Sequence, residues 1–186
     1  MRGLIIVDYS NDFVADSGAL TAGKPAQALE NYITDLATEF IDHGDYVVFA
    51  DDMHEEGDEY HPETKLFPPH NIKDTEGRLF YGKLNDVYEE NKAKTNVYWT
   101  DKRRYSAFAG TEVDIRFRER DIKEVWIVGV VTDICILHTS IDAYNLGYDI
   151  VIPEAGVASF NQTGHEVALG HFENSLGARV ISLEEK

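Results

Sequence analysis

With a single cysteine among 186 residues, the chain cannot build an internal disulfide framework, so Cys135 needs another explanation. Basic side chains are also scarce. Seventeen Lys and Arg face 34 Asp and Glu, and the resulting net charge of -17 repels phosphate backbones and anionic lipid. Nucleic acid and membrane partners are therefore disfavoured. No apolar run approaches the length of a membrane span, and the opening Met1-Arg2-Gly3-Leu4-Ile5-Ile6 lacks the long apolar stretch of a signal peptide. The expected address is the cytoplasm. Internal repeats, low-complexity tracts and linkers are missing, as is the glycine-rich fingerprint of dinucleotide binding after the first apolar run.

What is present fits one globular domain over residues 1–186, with 43% hydrophobic content. Apolar runs recur at Gly3 to Val7, Tyr46 to Ala50, Val97 to Trp99, Val125 to Val131, Asp149 to Ile152 and Arg179 to Ser182. They are too continuous for one-sided strands and read as parallel strands buried on both faces. Between them lie stripes of helical period, one of Leu29, Tyr32, Ile33, Leu36 and Phe40, another of Ile134, Leu137, His138, Ile141, Tyr144 and Leu146. Pro25 suits a helix start, while Gly44, Gly147 and Gly177 stand where helices should stop. The pattern predicts a doubly wound α/β fold: a mostly parallel six-stranded sheet with helices on both faces.

In such a sheet, ligands bind at the carboxyl ends of the strands. Asp8, Asp51, Asp52, Asp101, Lys102 and Cys135 all fall there. Each has a blander explanation alone: a loop cap for Asp8, a surface turn for Lys102, a small buried hydrophobe for Cys135. Together they have a chemistry. A thiol at a helix start can act as a nucleophile, a carboxylate can take its proton, and an ammonium can stabilise the charges that result. The stretch from Asp51 to Tyr81 is long and irregular, carries three histidines and Pro68-Pro69, and such a loop inside a compact domain is more often functional than idle.

Five segments carry a resemblance: Asp8 with Asn11-Asp12-Phe13, Asp52-Met53-His54, Phe67-Pro68-Pro69-His70, Lys102 with Tyr105-Ser106-Ala107-Phe108, and Gly129-Val130-Val131-Thr132-Asp133-Ile134-Cys135. In their order and strand-end positions they resemble the nicotinamidases of the isochorismatase-like cysteine hydrolases, along essentially the whole chain. The resemblance implies a catalytic triad of Asp8, Lys102 and Cys135. It maps a cis peptide onto Val130-Val131 and an oxyanion hole onto the backbone N–H groups of Val131 and Cys135. Phe13, Phe67 and Tyr105 become aromatic walls for a flat heteroaromatic ring, with Val130 beside the substrate.

Asp52 and His54, one residue apart on an extended backbone, project to the same side, and His70 returns toward them from the loop. A carboxylate and two imidazoles suit one divalent metal ion, zinc first, with iron and manganese also compatible. The resemblance assigns these three as ligands. For the fourth position, open between Glu63, His61 and water, Glu63 is favoured, because a carboxylate completes the shell, whereas His61 is tied to Pro62 and is expected to line the entrance. His138, one turn beyond Cys135, reads as a satisfied core histidine rather than a catalytic partner.

The implied reaction is hydrolysis of nicotinamide to nicotinate and ammonia in NAD salvage, with pyrazinamide as a further substrate. A homo-oligomer is compatible with the resemblance. Two alternatives remain at this point: a relative acting on a carbamoyl or ureido substrate, and a non-catalytic binding protein or thiol redox sensor on the same fold.

Overall fold

A computed structural model of the chain describes residues 1–182. Seven strands form one parallel sheet: β1 (Gly3–Val7), β2 (Tyr46–Asp52), β3 (Val97–Lys102), β4 (Glu124–Val130), β5 (Asp149–Pro153), β6 (Val157–Ala158) and β7 (Arg179–Ile181). Their order is β3-β2-β1-β4-β5-β7, with β6 paired to β4 beyond the end of β5. Among the described residues, seven helices accompany the sheet: α1 (Asn11–Val14), α2 (Lys24–Gln27), α3 (Glu30–His43), α4 (Lys83–Asn91), α5 (Val113–Glu119), α6 (Leu137–Asn145) and α7 (Gln162–Leu176).

Alternation along β1 explains the layers. Leu4 and Ile6 join a core with α3, including Ile33, Leu36 and Phe40, while Ile5 and Val7 join a second core with Phe117 of α5 and Phe172 of α7. Successive side chains thus feed opposite faces, and every residue of β1 is buried. No helix among the described residues is long and apolar enough to cross a membrane.

Three expectations need correction. The sheet gains β6, two residues long and too short to give a periodic signal. The edge strand β3 continues past Trp99 to Lys102, because an edge can carry polar residues such as Asp101 that break the apolar run. The stripe expected on the helix after Cys135 is only part of its packing face, with Ile134, Leu137 and Leu146 partly buried against the cores. Ile136, Thr139, Ser140 and Ala143 are buried there, whereas His138 and Tyr144 are exposed. Small side chains let this helix lie close to the sheet, so its inner face is less apolar than its flanks.

The strand order reverses between β1 and β4, which opens a crevice at their carboxyl ends. Asp8 follows β1 directly, and a single wide π-helical turn, Thr132–Ile136, follows β4 and carries Cys135. Gly129 makes this approach feasible. It adopts φ +121°, and a Cβ there would stand 2.0 Å from the Val7 carbonyl oxygen.

Candidate active site

Asp8 leaves β1 in a left-handed conformation, φ +55°, which Asp and Asn tolerate better than most residues. Its N–H donates to the Ala50 carbonyl (3.0 Å), and its Oδ1 accepts from the Asp52 N–H (2.8 Å). Its Oδ2 lies 2.8 Å from Lys102 Nζ, and that ammonium also stands 3.3 Å from Asp52 Oδ1 and 3.9 Å from Cys135 Sγ. One buried cation therefore faces two carboxylates and the thiol. Lys102 can reach them because the register pairs it with Asp52 across the ends of β2 and β3.

Burial raises the Asp8 carboxyl to about 6, with Lys102 opposing the rise and Asp52 adding to it. Burial also pushes the Cys135 thiol well above its ordinary range, again against the pull of Lys102. At neutral pH the thiol keeps its proton beside an ionised Asp8. For Lys102 burial works the other way, but Asp52 and Asp8 hold the ammonium well above its usual value. The same attraction overcomes burial at Asp52 and keeps that carboxyl below the usual carboxylate range.

The turn bearing Cys135 is fastened from its far side. Thr132 Oγ1 pairs with His165 Nδ1 (2.8 Å), and Asp133 accepts hydrogen bonds from Ser159 Oγ (2.7 Å) and Asn161 Nδ2 (3.2 Å). The Val130-Val131 peptide is cis.

Next to Lys102, one ligand atom from each of Asp52, His54, Glu63 and His70 lies within 4.8 Å of the others, and all four residues are buried. His54 Nε2 stands 3.0 Å from Asp52 Oδ2, while His70 Nε2 stands 3.7 Å from that oxygen and 3.6 Å from Glu63 Oε2. Asp52 Oδ1, Glu63 Oε1 and His70 Nε2 are buried without a hydrogen-bond partner among the described residues. Burial alone would discharge the His70 imidazole, but the Asp52 and Glu63 carboxylates beside its Nε2 outweigh it and lift the group to about 10. The cluster thus attracts positive charge and has donor atoms left over, which fits a divalent cation.

His61 offers no free donor: Nε2 contacts the Arg103 carbonyl (3.0 Å) and Nδ1 accepts from the Glu63 N–H (3.3 Å). Glu63 is the better fourth candidate. His138 is exposed rather than a core residue, its Nδ1 bonded to the Ile134 carbonyl (2.7 Å) and its ring against Tyr105.

A cavity of about 30 Å³ reaches from Cys135 to Glu63 of the cluster, lined by Phe13, Phe67, Tyr105 and Val131 together with Leu20, Ile134 and Phe160. The three expected aromatics are thus brought together over the thiol. Val130 is fully buried and does not line this space; its neighbour Val131 does.

Sequence reasoning missed the residues that hold the strand ends. Arg78 Nε donates to the Asp52 carbonyl (2.9 Å) while its terminal nitrogen reaches Asp101 Oδ1 (2.6 Å), and Asn71 Nδ2 donates to the Asp52 carbonyl and to Asp51 Oδ1 (both 3.3 Å). Arg78 therefore clamps the two strands that deliver Asp52 and Lys102. No local pattern marks it, since its role depends on partners brought close only by folding.

Comparison with known proteins agrees with this architecture. The isochorismatase domain family matches residues 2–185. PncA, an isochorismatase family protein of Bacillus subtilis, is 57% identical over 179 residues, 96% of this chain and 98% of its own. Among solved structures, nicotinamidase/pyrazinamidase PncA from Bacillus subtilis superposes with a TM-score of 0.96 at 55% identity, covering 97% of this chain and 100% of that one. A pyrazinamidase/nicotinamidase from Streptococcus mutans gives 0.95 at 55% identity, with the same coverage. A sheet of this order, a cysteine on the turn after its fourth strand, and matches spanning nearly the whole chain lead to one assignment: the chain belongs to the isochorismatase family.

Proposed function

We propose that the chain is a nicotinamidase, hydrolysing nicotinamide to nicotinate and ammonia, with pyrazinamide as a second substrate and NAD salvage as its role. One observation carries the reading: Lys102 Nζ lies against Asp8, Asp52 and Cys135 together, so the thiol and the Asp52, His54, Glu63, His70 cluster adjoin one small, mostly apolar cavity. The similarity to the two solved nicotinamidase/pyrazinamidase structures supports the choice of amide.

Phe13, Phe67 and Tyr105 provide flat apolar surface for a pyridine ring. Asp52, His54, Glu63 and His70 would hold a divalent ion, zinc by preference, which supplies a Lewis-acid partner for the ring nitrogen. Within this frame the carboxamide carbon faces Cys135. Asp8 takes the thiol proton as Sγ attacks, and the carboxamide oxygen accepts hydrogen bonds from the N–H groups of Val131 and Cys135 as it gains charge. Collapse breaks the C–N bond; Asp8 delivers its proton to nitrogen, and ammonia leaves a thioester. Water then attacks the thioester carbon while Asp8 removes a proton. Expulsion of the sulfur, which recovers that proton, releases nicotinic acid, which gives its remaining proton to solvent and leaves as nicotinate.

A carboxyl near 6 suits this double duty, because it is ionised at neutral pH yet still able to return a proton. Lys102 keeps the buried thiolate and carboxylates from repelling one another. The test is ammonia release by metal-loaded protein from nicotinamide, pyrazinamide and an N-carbamoyl amine in parallel. The reading expects the two heteroaromatic amides to be hydrolysed well ahead of the carbamoyl compound, and the reverse order would overturn it.

A further inference from the structure

The cavity over Cys135 measures about 30 Å³. The space is narrow, and its lining sets the shape of any ring that enters. The residues at its rim therefore decide which rings fit. Phe13 is buried and packs edge-on against the His70 ring at 5.2 Å, Phe67 meets the same ring at 6.3 Å, and Tyr105 rests against His138 at 5.0 Å. Phe160 differs from all three. Its side chain lines the cavity yet is 58% exposed, and it belongs to neither hydrophobic core.

Its backbone is not correspondingly loose. Ser159 and Asn161, the residues on either side, both donate to Asp133 on the turn that carries Cys135, and the Asn161 N–H donates to Ser159 Oγ (3.0 Å). The side chain therefore moves on a fixed base, where an exposed aromatic changes rotamer at little cost. Leu20, partly buried and set in the stretch after α1, lines the same cavity.

We propose that Phe160, together with Leu20, is the specificity-determining wall of this site. It swings out to admit the ring and closes on the ring edge remote from both Cys135 and Glu63. The inference rests on the amidase reading above. With the carboxamide at Cys135 and the ring nitrogen toward Glu63 and its neighbours, the free edge faces these two residues. Substituents or fused rings on that edge are what Phe160 excludes, so the class affected is substituted and bicyclic heteroaromatic carboxamides.

The experiment measures kcat/KM for nicotinamide and for quinoline-3-carboxamide with wild type, Phe160→Ala, Phe160→Trp and the control Tyr144→Ala, which removes another exposed aromatic away from the cavity. The ratio of the bicyclic to the monocyclic amide should rise at least about tenfold in Phe160→Ala, mainly through KM. It should fall in Phe160→Trp and stay at the wild-type value in Tyr144→Ala. Thermal midpoints report whether each variant is folded. A ratio within about twofold of wild type in folded Phe160→Ala, with nicotinamide still hydrolysed, overturns this inference alone. Wild type that leaves nicotinamide intact overturns the amidase reading and this one with it.

Discussion

Replacing Asp8 with asparagine should destroy turnover and at the same time make the metal-free protein more stable at neutral pH. The carboxyl is 1% exposed, and burial raises it from its ordinary 3.8 to about 6 even with Lys102 alongside. At about 1.4 kcal/mol per pH unit, the ionised group costs the folded state about 3 kcal/mol relative to its protonated form. Asparagine resembles that protonated form, keeps an oxygen for the Asp52 N–H, and tolerates the left-handed backbone at φ +55°. Lys102 retains Asp52 at 3.3 Å. The sign follows from which state holds the proton. Above pH 6 both states of the wild type are ionised and the full penalty applies. Between 6 and 3.8 the folded state takes up a proton first, so the penalty fades, and below 3.8 it is gone. Thermal unfolding in chelator should therefore place Asp8→Asn about 6–12 °C above wild type at pH 8, with the gap closing toward pH 4. A variant less stable than wild type at pH 8, or a gap independent of pH, would refute the reasoning and mean that Lys102 depends on Asp8 more than Asp8 suffers from burial.

Three further substitutions probe the site and its frame. Glu63→Gln should weaken zinc binding in a competition titration by more than the ~10–100-fold typical of losing an outer partner, whereas His61→Gln should stay within that range; equal losses would reject Glu63 as the fourth ligand. Gly129→Ala should lower stability by about 3 kcal/mol or more in urea unfolding, because its Cβ would meet the Val7 carbonyl at 2.0 Å. A loss under about 1 kcal/mol would show that β1 and β4 can separate cheaply.

The parts of this molecule legible in its sequence were those governed by local pattern. Runs such as Leu4-Ile5-Ile6-Val7 announce buried strands, and a polar residue at the end of such a run, Asp8 or Asp52, announces the crevice. What stayed hidden depended on distance or on shape. Arg78 and Asn71 support Asp52 from 19 to 26 residues away, and the clasp from Thr132 to His165 spans 33. The most buried face of α6 is built from Thr139, Ser140 and Ala143, so hydrophobicity alone traced only the partly buried Leu137 and Leu146 beside it. Phe160 escaped notice for a related reason: an apolar side chain before a helix start looks the same whether it packs inward or stands over a cavity.

The central claim is that Cys135 is the nucleophile of an enzyme that hydrolyses nicotinamide. The most direct measurement follows nicotinate formation from nicotinamide by wild type and Cys135→Ala, both loaded with zinc and both shown to be folded. The account predicts steady production of nicotinate and ammonia in equal amounts by the wild type, and none above background by the variant. Comparable rates from the two proteins would contradict it.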